Sequence, residues 1–352
     1  MIFIKIGDKT MINMGIIGFG RMGMVHADII SKIKDLNLIA VSKKSSERSK
    51  EIRDNYGVEV YTDNDKLLDI REIDYVVIST TNETHEELTI KALNKGKNVI
   101  VEKPMSINYQ STLRMIKAAE ENKKNLFVYH NFRWDRDFLF VKSTIESGKL
   151  GNILVIKNNY GEFGESWAGW GIHGMENPWR IKAEYGGGIL LDMGPHLVDQ
   201  ILLLMGKDPI GVYGMLQSSP WSGNVDNHFF AIIRFDSNII CQIEISNNCR
   251  ISLPRWYVIG TKGVLEVAGL VEYIYDNVKI NYIKDNGEKE IQKIKLVDSI
   301  ESGLTPGFYK DLVKFLKGEI KEFVSMYQAS KIIKILDLIR KSSEENRYVN
   351  FE

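Results

Sequence analysis

The chain has 352 residues, of which 44% are hydrophobic and 26% charged, with 46 basic and 46 acidic side chains. That size suits about two domains with real cores. The zero formal charge excludes the basic excess that a nucleic-acid or anionic-membrane surface needs, so the expected partner is a small molecule.

Cys241 and Cys249 are the only cysteines, and no cysteine or histidine cluster accompanies them. That is neither a disulfide framework nor a zinc signature, and it fits a reducing cytoplasm. No apolar run reaches the roughly 18 residues of a membrane span. The opening "MIFIKIGDKTMIN" has neither the apolar core nor the cleavage site of a signal peptide. Met11 and Met14 are alternative starts, which makes residues 1–12 a candidate extension.

From Met14 to about Tyr129, short apolar runs alternate with amphipathic ones. The runs "MGIIG" (14–18), "LIAVS" (38–42), "YVVIST" (75–80), "NVIVE" (98–102) and "LFVYH" (126–130) read as strands. Helices are expected over 21–33, 46–56, 85–95 and 108–122. Strands without a polar face, separated by helices, predict a parallel sheet covered on both sides, a doubly wound α/β (Rossmann) domain over 13–131.

After about Leu150 strand-like runs follow one another: 153–163, 210–217, 227–235, 238–246, 255–261 and 263–269. Turn signals such as "FDSN" and "GTKG" suit antiparallel hairpins. Helices are expected at 306–317 and 326–341. The expectation is an α+β domain over 132–352, built on a large open, mainly antiparallel sheet.

The first strand runs into a helix through "GIIGFGRMG", with Gly18, Gly20 and Gly23 in GxGxxG spacing and Phe19, Arg21 and Met22 between them. In that context the glycines permit a tight turn, close approach of a pyrophosphate and close helix–strand packing, and the helix N-terminus faces the phosphates. An NAD site usually has an acidic residue about 20 positions further on. Here Ser42, Lys43 and Lys44 stand nineteen to twenty-one residues after Gly23. A hydroxyl and two ammonium groups suit a 2′-phosphate that a carboxylate would repel, so NADP is expected over NAD, although the lysines also read as solvated loop charges.

In an open parallel sheet the ligand crevice lies at the carboxyl ends of the strands. Thr80, Thr81, Asn82 and His85 after the fourth strand, and Glu102 and Lys103 after the fifth, are therefore expected to line the cofactor. His85 also reads as a cap of the following helix.

In "GGGILLDMGPHLVDQILLLMG" (186–206), Asp192 and His196 flank the entrance to an apolar helix, 197–205. They read either as a helix cap and a core histidine or as acid–base groups. His196-x-x-Asp199 lacks a third ligand, so no metal is expected.

With "GFGRMG", "STTNETH" (79–85), "EKP" (102–104) and "GGGILLDMGPHLVD" in this order, the chain resembles the glucose–fructose oxidoreductase / inositol dehydrogenase family (Gfo/Idh/MocA). The segment 130–153 resembles that family's interdomain segment, nearest to NADP-dependent scyllo-inositol dehydrogenases. The resemblance implies Lys103, Asp192 and His196 as catalytic residues, with Asn131 and Arg133 beside the nicotinamide. It also implies a homodimer or homotetramer through the second sheet.

Trp134, Trp170, His173, Arg180 and Tyr185 are candidate substrate contacts, and Trp167 and Trp179 are compatible with stacking on sugar faces. The expected activity is hydride transfer between a nicotinamide and a secondary hydroxyl or keto group of a sugar, sugar derivative or inositol. The alternatives are transhydrogenation or redox-assisted glycoside chemistry on a tightly held NAD(P), and a non-catalytic NADP sensor.

Overall fold

In this computed structural model the residues described are 11–161, 179–219, 222–236, 238–249, 251, 253–269, 277–296 and 306–352. The chain divides into two units. Among the described residues the first holds 11–131 and 306–333, and the second holds 132–296 and 334–352. Residues 306–333 thus group with the first unit, whereas the sequence reading assigns them to the second.

The first unit contains β1 (Ile12–Ile17), α1 (Arg21–Ile30), β2 (Leu36–Ser42), α2 (Ser49–Tyr56), β3 (Glu59–Tyr61), α3 (Asn64–Leu68), β4 (Tyr75–Ile78), α4 (His85–Asn94), β5 (Asn98–Val101), α5 (Tyr109–Glu121) and β6 (Leu126–Val128). Its sheet is six-stranded, in the order β3-β2-β1-β4-β5-β6, with every pairing parallel. Every residue of β4 is buried, as expected of strands covered on both faces. The order reverses between β1 and β4, which opens a crevice at the carboxyl ends of those strands. The sequence reading lacks β3 and α3, which are too short to show a period.

The second unit contains α6 (Arg136–Glu146), β7 (Ile153–Gly161), α7 (Ile189–Asp192), α8 (Gly194–Met205), β8 (Gly211–Gln217), β9 (His228–Arg234), β10 (Ile240–Ser246), β11 (Trp256–Gly260), β12 (Gly263–Val267), β13 (Asn277–Ile283) and β14 (Lys289–Lys295). Two further helices follow, α9 (Gly307–Leu316) in the first unit and α10 (Met326–Glu345), whose residues divide between the units at 333/334, and the chain closes with β15 (Val349–Asn350).

The second sheet has nine strands, ordered β14-β13-β12-β11-β7-β10-β9-β8-β15. It is antiparallel except for β7 and β10, which run parallel, a pairing that simple hairpin succession does not anticipate. Alternate residues of β9 and β10, including Phe229, Ala231, Ile233, Cys241 and Ile243, are buried. A side chain at Gly194 would run into Leu336 and lie against Phe229, so α8 begins hard against the sheet. Among the described residues no single helix is long and apolar enough to cross a membrane.

Candidate active site

The turn after β1 gives its three glycines different tasks. Gly18 has φ +91°, and a Cβ there would come within 2.3 Å of the Ser79 carbonyl oxygen. At Gly23 a Cβ would lie 2.2 Å from the Gly18 carbonyl oxygen. Gly20, by contrast, is exposed and a Cβ on it would meet no atom within 4 Å. Two glycines therefore serve the fold, and the third keeps an open approach to backbone.

Gly20 is also the N-cap of α1, which has no side-chain cap and no acidic residue in its first turn. First-turn N–H donors with no side-chain cap, a positive dipole end and cleared space fit the pyrophosphate of a dinucleotide. Phe19 packs edge-on against Tyr56, Arg21 is exposed and Met22 half-buried.

At the end of β2, Ser42 is buried and its hydroxyl donates to Asn64 Oδ1 at 2.7 Å. Lys43 Nζ donates to the Glu47 carbonyl, and Lys44 is exposed. The serine is thus a strut of the turn, while the two lysines extend along a loop that also holds Arg48, paired with Glu51.

Beyond β4, Thr84 Oγ1 donates to Thr80 Oγ1 at 2.6 Å, Thr81 Oγ1 donates to Glu83 at 2.6 Å, and Asn82 is buried. His85 opens α4, but its ring turns inward. Nδ1 lies 2.8 Å from the Pro104 carbonyl oxygen and Nε2 3.3 Å from that of Thr80. Burial pushes its pKa down against the pull of those carbonyls. The neutral ring has one N–H, which the shorter contact assigns to Pro104. His85 thus ties the start of α4 to the Pro104 carbonyl.

Glu102, expected to line the cofactor, instead directs its carboxylate into the unit. Oε1 accepts from His26 Nε2 at 3.0 Å and Oε2 from the Lys103 backbone N–H at 3.0 Å. Burial pushes this carboxyl up, but the His26 hydrogen bond, with His26, Lys103 and His85 nearby, holds it below its ordinary value. Lys103 itself is half-buried at the carboxyl end of β5. His26 escapes the sequence reading, although it lies three residues after Gly23 on the buried face of α1.

In the second unit, Asp192 does not cap α8. It ends the short α7, and the N-cap of α8 is Met193, with no side-chain cap. The buried Asp192 carboxylate faces the Arg180 guanidinium at 3.4 Å, and Arg180 also lies over the Trp179 ring at 4.4 Å. Arg180 therefore orients Asp192. Tyr185 is half-buried beneath Lys182.

His196 is in the first turn of α8, 3% exposed, and stacked on Phe132. Arg133, expected beside the nicotinamide, grips Asp199 through two hydrogen bonds of 2.8 and 2.6 Å. Its guanidinium is engaged within the second unit. Asn131 is buried and Trp134 half-buried in the same turn. Trp167, Trp170 and His173 lie outside the described residues.

Comparison with known proteins gives matches over both units. The GFO_IDH_MocA oxidoreductase family model, an NAD-binding Rossmann fold, matches residues 12–130, and the GFO/IDH/MocA C-terminal domain model matches residues 138–266. A myo-inositol 2-dehydrogenase of Thermotoga maritima is 29% identical over 71% of this chain and 73% of that protein. The Bacillus subtilis scyllo-inositol 2-dehydrogenase (NADP(+)) IolW is 32% identical over 55% of this chain and 52% of its own. The crystal structure of an NAD-binding protein from Listeria innocua, 28% identical, superposes with a TM-score of 0.82 over 96% of both chains.

Proposed function

The chain belongs to the GFO/IDH/MocA family of NAD-binding oxidoreductases, and from that premise we propose that it is an NADP-preferring dehydrogenase of an inositol, sugar or sugar derivative. The observation that carries this reading is the glycine turn. It is open at Gly20 and faces a β2 end that carries Lys43 and Lys44 where an NAD site would hold a carboxylate. The naming of one relative as an NADP(+) inositol dehydrogenase supports it.

Bound nicotinamide would accept or return the hydride of a secondary alcohol. The remaining chemistry belongs to the chain. Oxidation also releases the hydroxyl proton, and His196, with an imidazole that ordinarily titrates near neutrality, takes it and returns it in the reverse direction. Asp192, oriented by Arg180, accepts from a substrate hydroxyl and fixes the sugar's orientation. Lys103 holds the reacting oxygen and stabilises the negative charge that develops on it.

The second sheet supports a homo-oligomeric reading. On the face opposite the buried row, Tyr213 and Met215 pair with Ile232 and Phe230, all partly or fully exposed, and Ile240, Arg234, Gln242 and Glu244 share that face. Such an apolar cluster within a mixed face suits pairing with a second copy, and light scattering of the purified protein as a monomer would remove this part of the proposal.

The test is reduction of NADP⁺ and NAD⁺ across a panel of inositols, aldoses and glycosides. Lys103→Ala and His196→Ala proteins with verified NADPH binding serve as controls. Turnover by the wild type alone, faster with NADP⁺, is expected. Tight NADPH binding with no turnover anywhere in the panel, or turnover that survives both substitutions, would overturn the reading.

A further inference from the structure

Behind the strand end that carries Lys103 lies a buried polar chain that hydride transfer alone does not explain. Tyr309 on α9 and His26 on α1 are fully buried, and Glu102 is 6% exposed. The Tyr309 hydroxyl is 2.8 Å from His26 Nδ1, and His26 Nε2 is 3.0 Å from Glu102 Oε1. The other carboxylate oxygen, Oε2, accepts from the Lys103 N–H at 3.0 Å.

The direction of the chain follows from its carboxylate end. An ionised Glu102 can only accept, so His26 Nε2 carries the proton it shares. Burial holds the Tyr309 hydroxyl protonated, and that hydroxyl, able to donate or to accept, meets Nδ1 at the inner end of the chain. Aromatic rings wall the relay in: Tyr129 stands 4.5 Å from the His26 ring, and Phe308 packs 4.8 Å from Tyr129, centroid to centroid.

A carboxylate and an imidazole are costly to enclose this way, whereas apolar side chains would fill the same space without polar groups to satisfy. What the polar solution adds is at its outer end. Glu102, oriented by His26, fixes the peptide plane at Lys103. From the other side His85 holds the carbonyl of the following residue, Pro104, at 2.8 Å. The backbone is thereby held on both sides of the lysine, at its own N–H and at the Pro104 carbonyl.

We propose that Tyr309, His26 and Glu102 form a positioning relay that fixes the backbone from which the Lys103 side chain reaches. The helix that opens at the glycine turn and a helix contributed from the far end of the sequence then jointly set where the ammonium group stands. The catalytic consequence rests on the reading of Lys103 given above. The relay itself does not.

The test uses full-length His26→Ala, His26→Gln, Tyr309→Phe and Glu102→Gln proteins. Three readouts apply: hydrogen exchange resolved at the Lys103 amide, NADPH Kd by fluorescence, and kcat and KM on the fastest alcohol of the panel. In His26→Ala, Lys103 amide exchange is expected to rise about tenfold or more while the β5 amides Val99–Val101 stay within about twofold. In the same protein kcat falls about tenfold or more, with KM and NADPH Kd changing less than about threefold, because a misplaced catalytic group costs rate rather than cofactor affinity.

His26→Gln, whose amide can accept from Tyr309 and donate to Glu102, is expected to recover most of both effects. Tyr309→Phe and Glu102→Gln should give intermediate losses. Unchanged Lys103 exchange in His26→Ala, or exchange raised equally along β5, overturns the inference whatever the panel shows. So does an unchanged kcat when Lys103→Ala abolishes turnover. If Lys103→Ala turns over normally, or no alcohol is oxidised, the dehydrogenase reading fails separately, and the exchange result still decides the relay.

Discussion

The Phe132 ring lies flat on the His196 imidazole, with centroids 3.8 Å apart and planes 13° from parallel. The contact is one of three along a single face of α8. Asp199 takes Arg133, and Gln200 Nε2 donates to the Phe132 carbonyl at 3.1 Å. Positions 196, 199 and 200 have the i, i+3, i+4 spacing of one helix face, so the turn at 131–134 fixes the helix and the ring together. Gln200 is held in turn by the buried Arg255, 2.9 Å from its side-chain oxygen.

Removing the ring is therefore expected to cost both stability and rate. Phe132→Ala should destabilise by about 3–5 kcal/mol, the usual cost of emptying a buried phenylalanine site, read as a shift in the urea midpoint. Phe132→Leu, which keeps more of the volume, should lose less stability yet still lower kcat, because it no longer presents a flat ring to His196. Equal kcat in Phe132→Leu and wild type would show that stacking does not align the imidazole.

The three glycines of the first turn make a sharper test. Gly20→Ala should melt within a degree or two of wild type, because its Cβ meets nothing, while NADPH affinity falls at least about tenfold through loss of close backbone approach. Gly18→Ala and Gly23→Ala should instead lower Tm and yield, since each Cβ would strike a carbonyl oxygen. Thermal melts beside fluorescence titrations separate the two classes, and normal NADPH binding by Gly20→Ala would refute a pyrophosphate there.

Lys43→Ala with Lys44→Ala should weaken NADPH binding by about tenfold or more and leave NADH binding within about twofold, because only the former carries a 2′-phosphate for the ammonium groups. The difference should shrink in high salt, since these side chains lie towards solvent. Equal losses for both cofactors would assign the lysines to the loop alone.

Asp226 gives a pH prediction. Its backbone carbonyl and carboxylate accept from the Ile189 and Leu190 N–H groups and seat α7, the helix that ends at Asp192. Burial pushes its carboxyl up to about 6, against the opposing pull of those N–H groups and Arg340. A raised acid binds protons more tightly folded than unfolded. Its contribution is therefore fully present below the unfolded value near 4 and is lost as pH rises through about 6, on the order of 2–3 kcal/mol. Asp226→Asn should gain stability relative to wild type between pH 4 and 6.5 and show a constant difference above that. Parallel urea midpoints across this range check it, and a flat difference throughout would show that the carboxyl is not raised.

The long, strongly patterned elements are legible in the sequence because burial on both faces leaves β1, β2, β4, β5 and β6 almost wholly apolar. Strand β14, "KEIQKIK", escapes because each face mixes polar and apolar residues: Lys289, Ile291, Lys293 and Lys295 face solvent, while Glu290, Gln292 and Ile294 are partly covered. Such charged edges are how sheets avoid pairing with other chains. The site divides in the same way. The glycine spacing reveals the turn, since each glycine answers a local demand. His26 and Phe132 are invisible because their partners, Glu102 with Tyr309 and His196, stand 76, 283 and 64 residues away. Arg180 and Arg133 are visible as charges, but only the fold shows that they pair with Asp192 and Asp199.

The return of residues 306–333 to the first unit has a consequence for how the protein is made. Phe127 at the end of the parallel sheet packs edge-on against Phe315 and Phe323, at 5.9 and 5.1 Å between ring centres. These rings, with Phe308 and Tyr309, leave the ribosome long after the parallel sheet they cover. Until they arrive, the nascent nucleotide-binding half carries an open greasy flank and a buried-type histidine lacking its hydroxyl partner. Its completion waits until residues 306–333 have been made, and a chain cut short before them would lack part of the half encoded first.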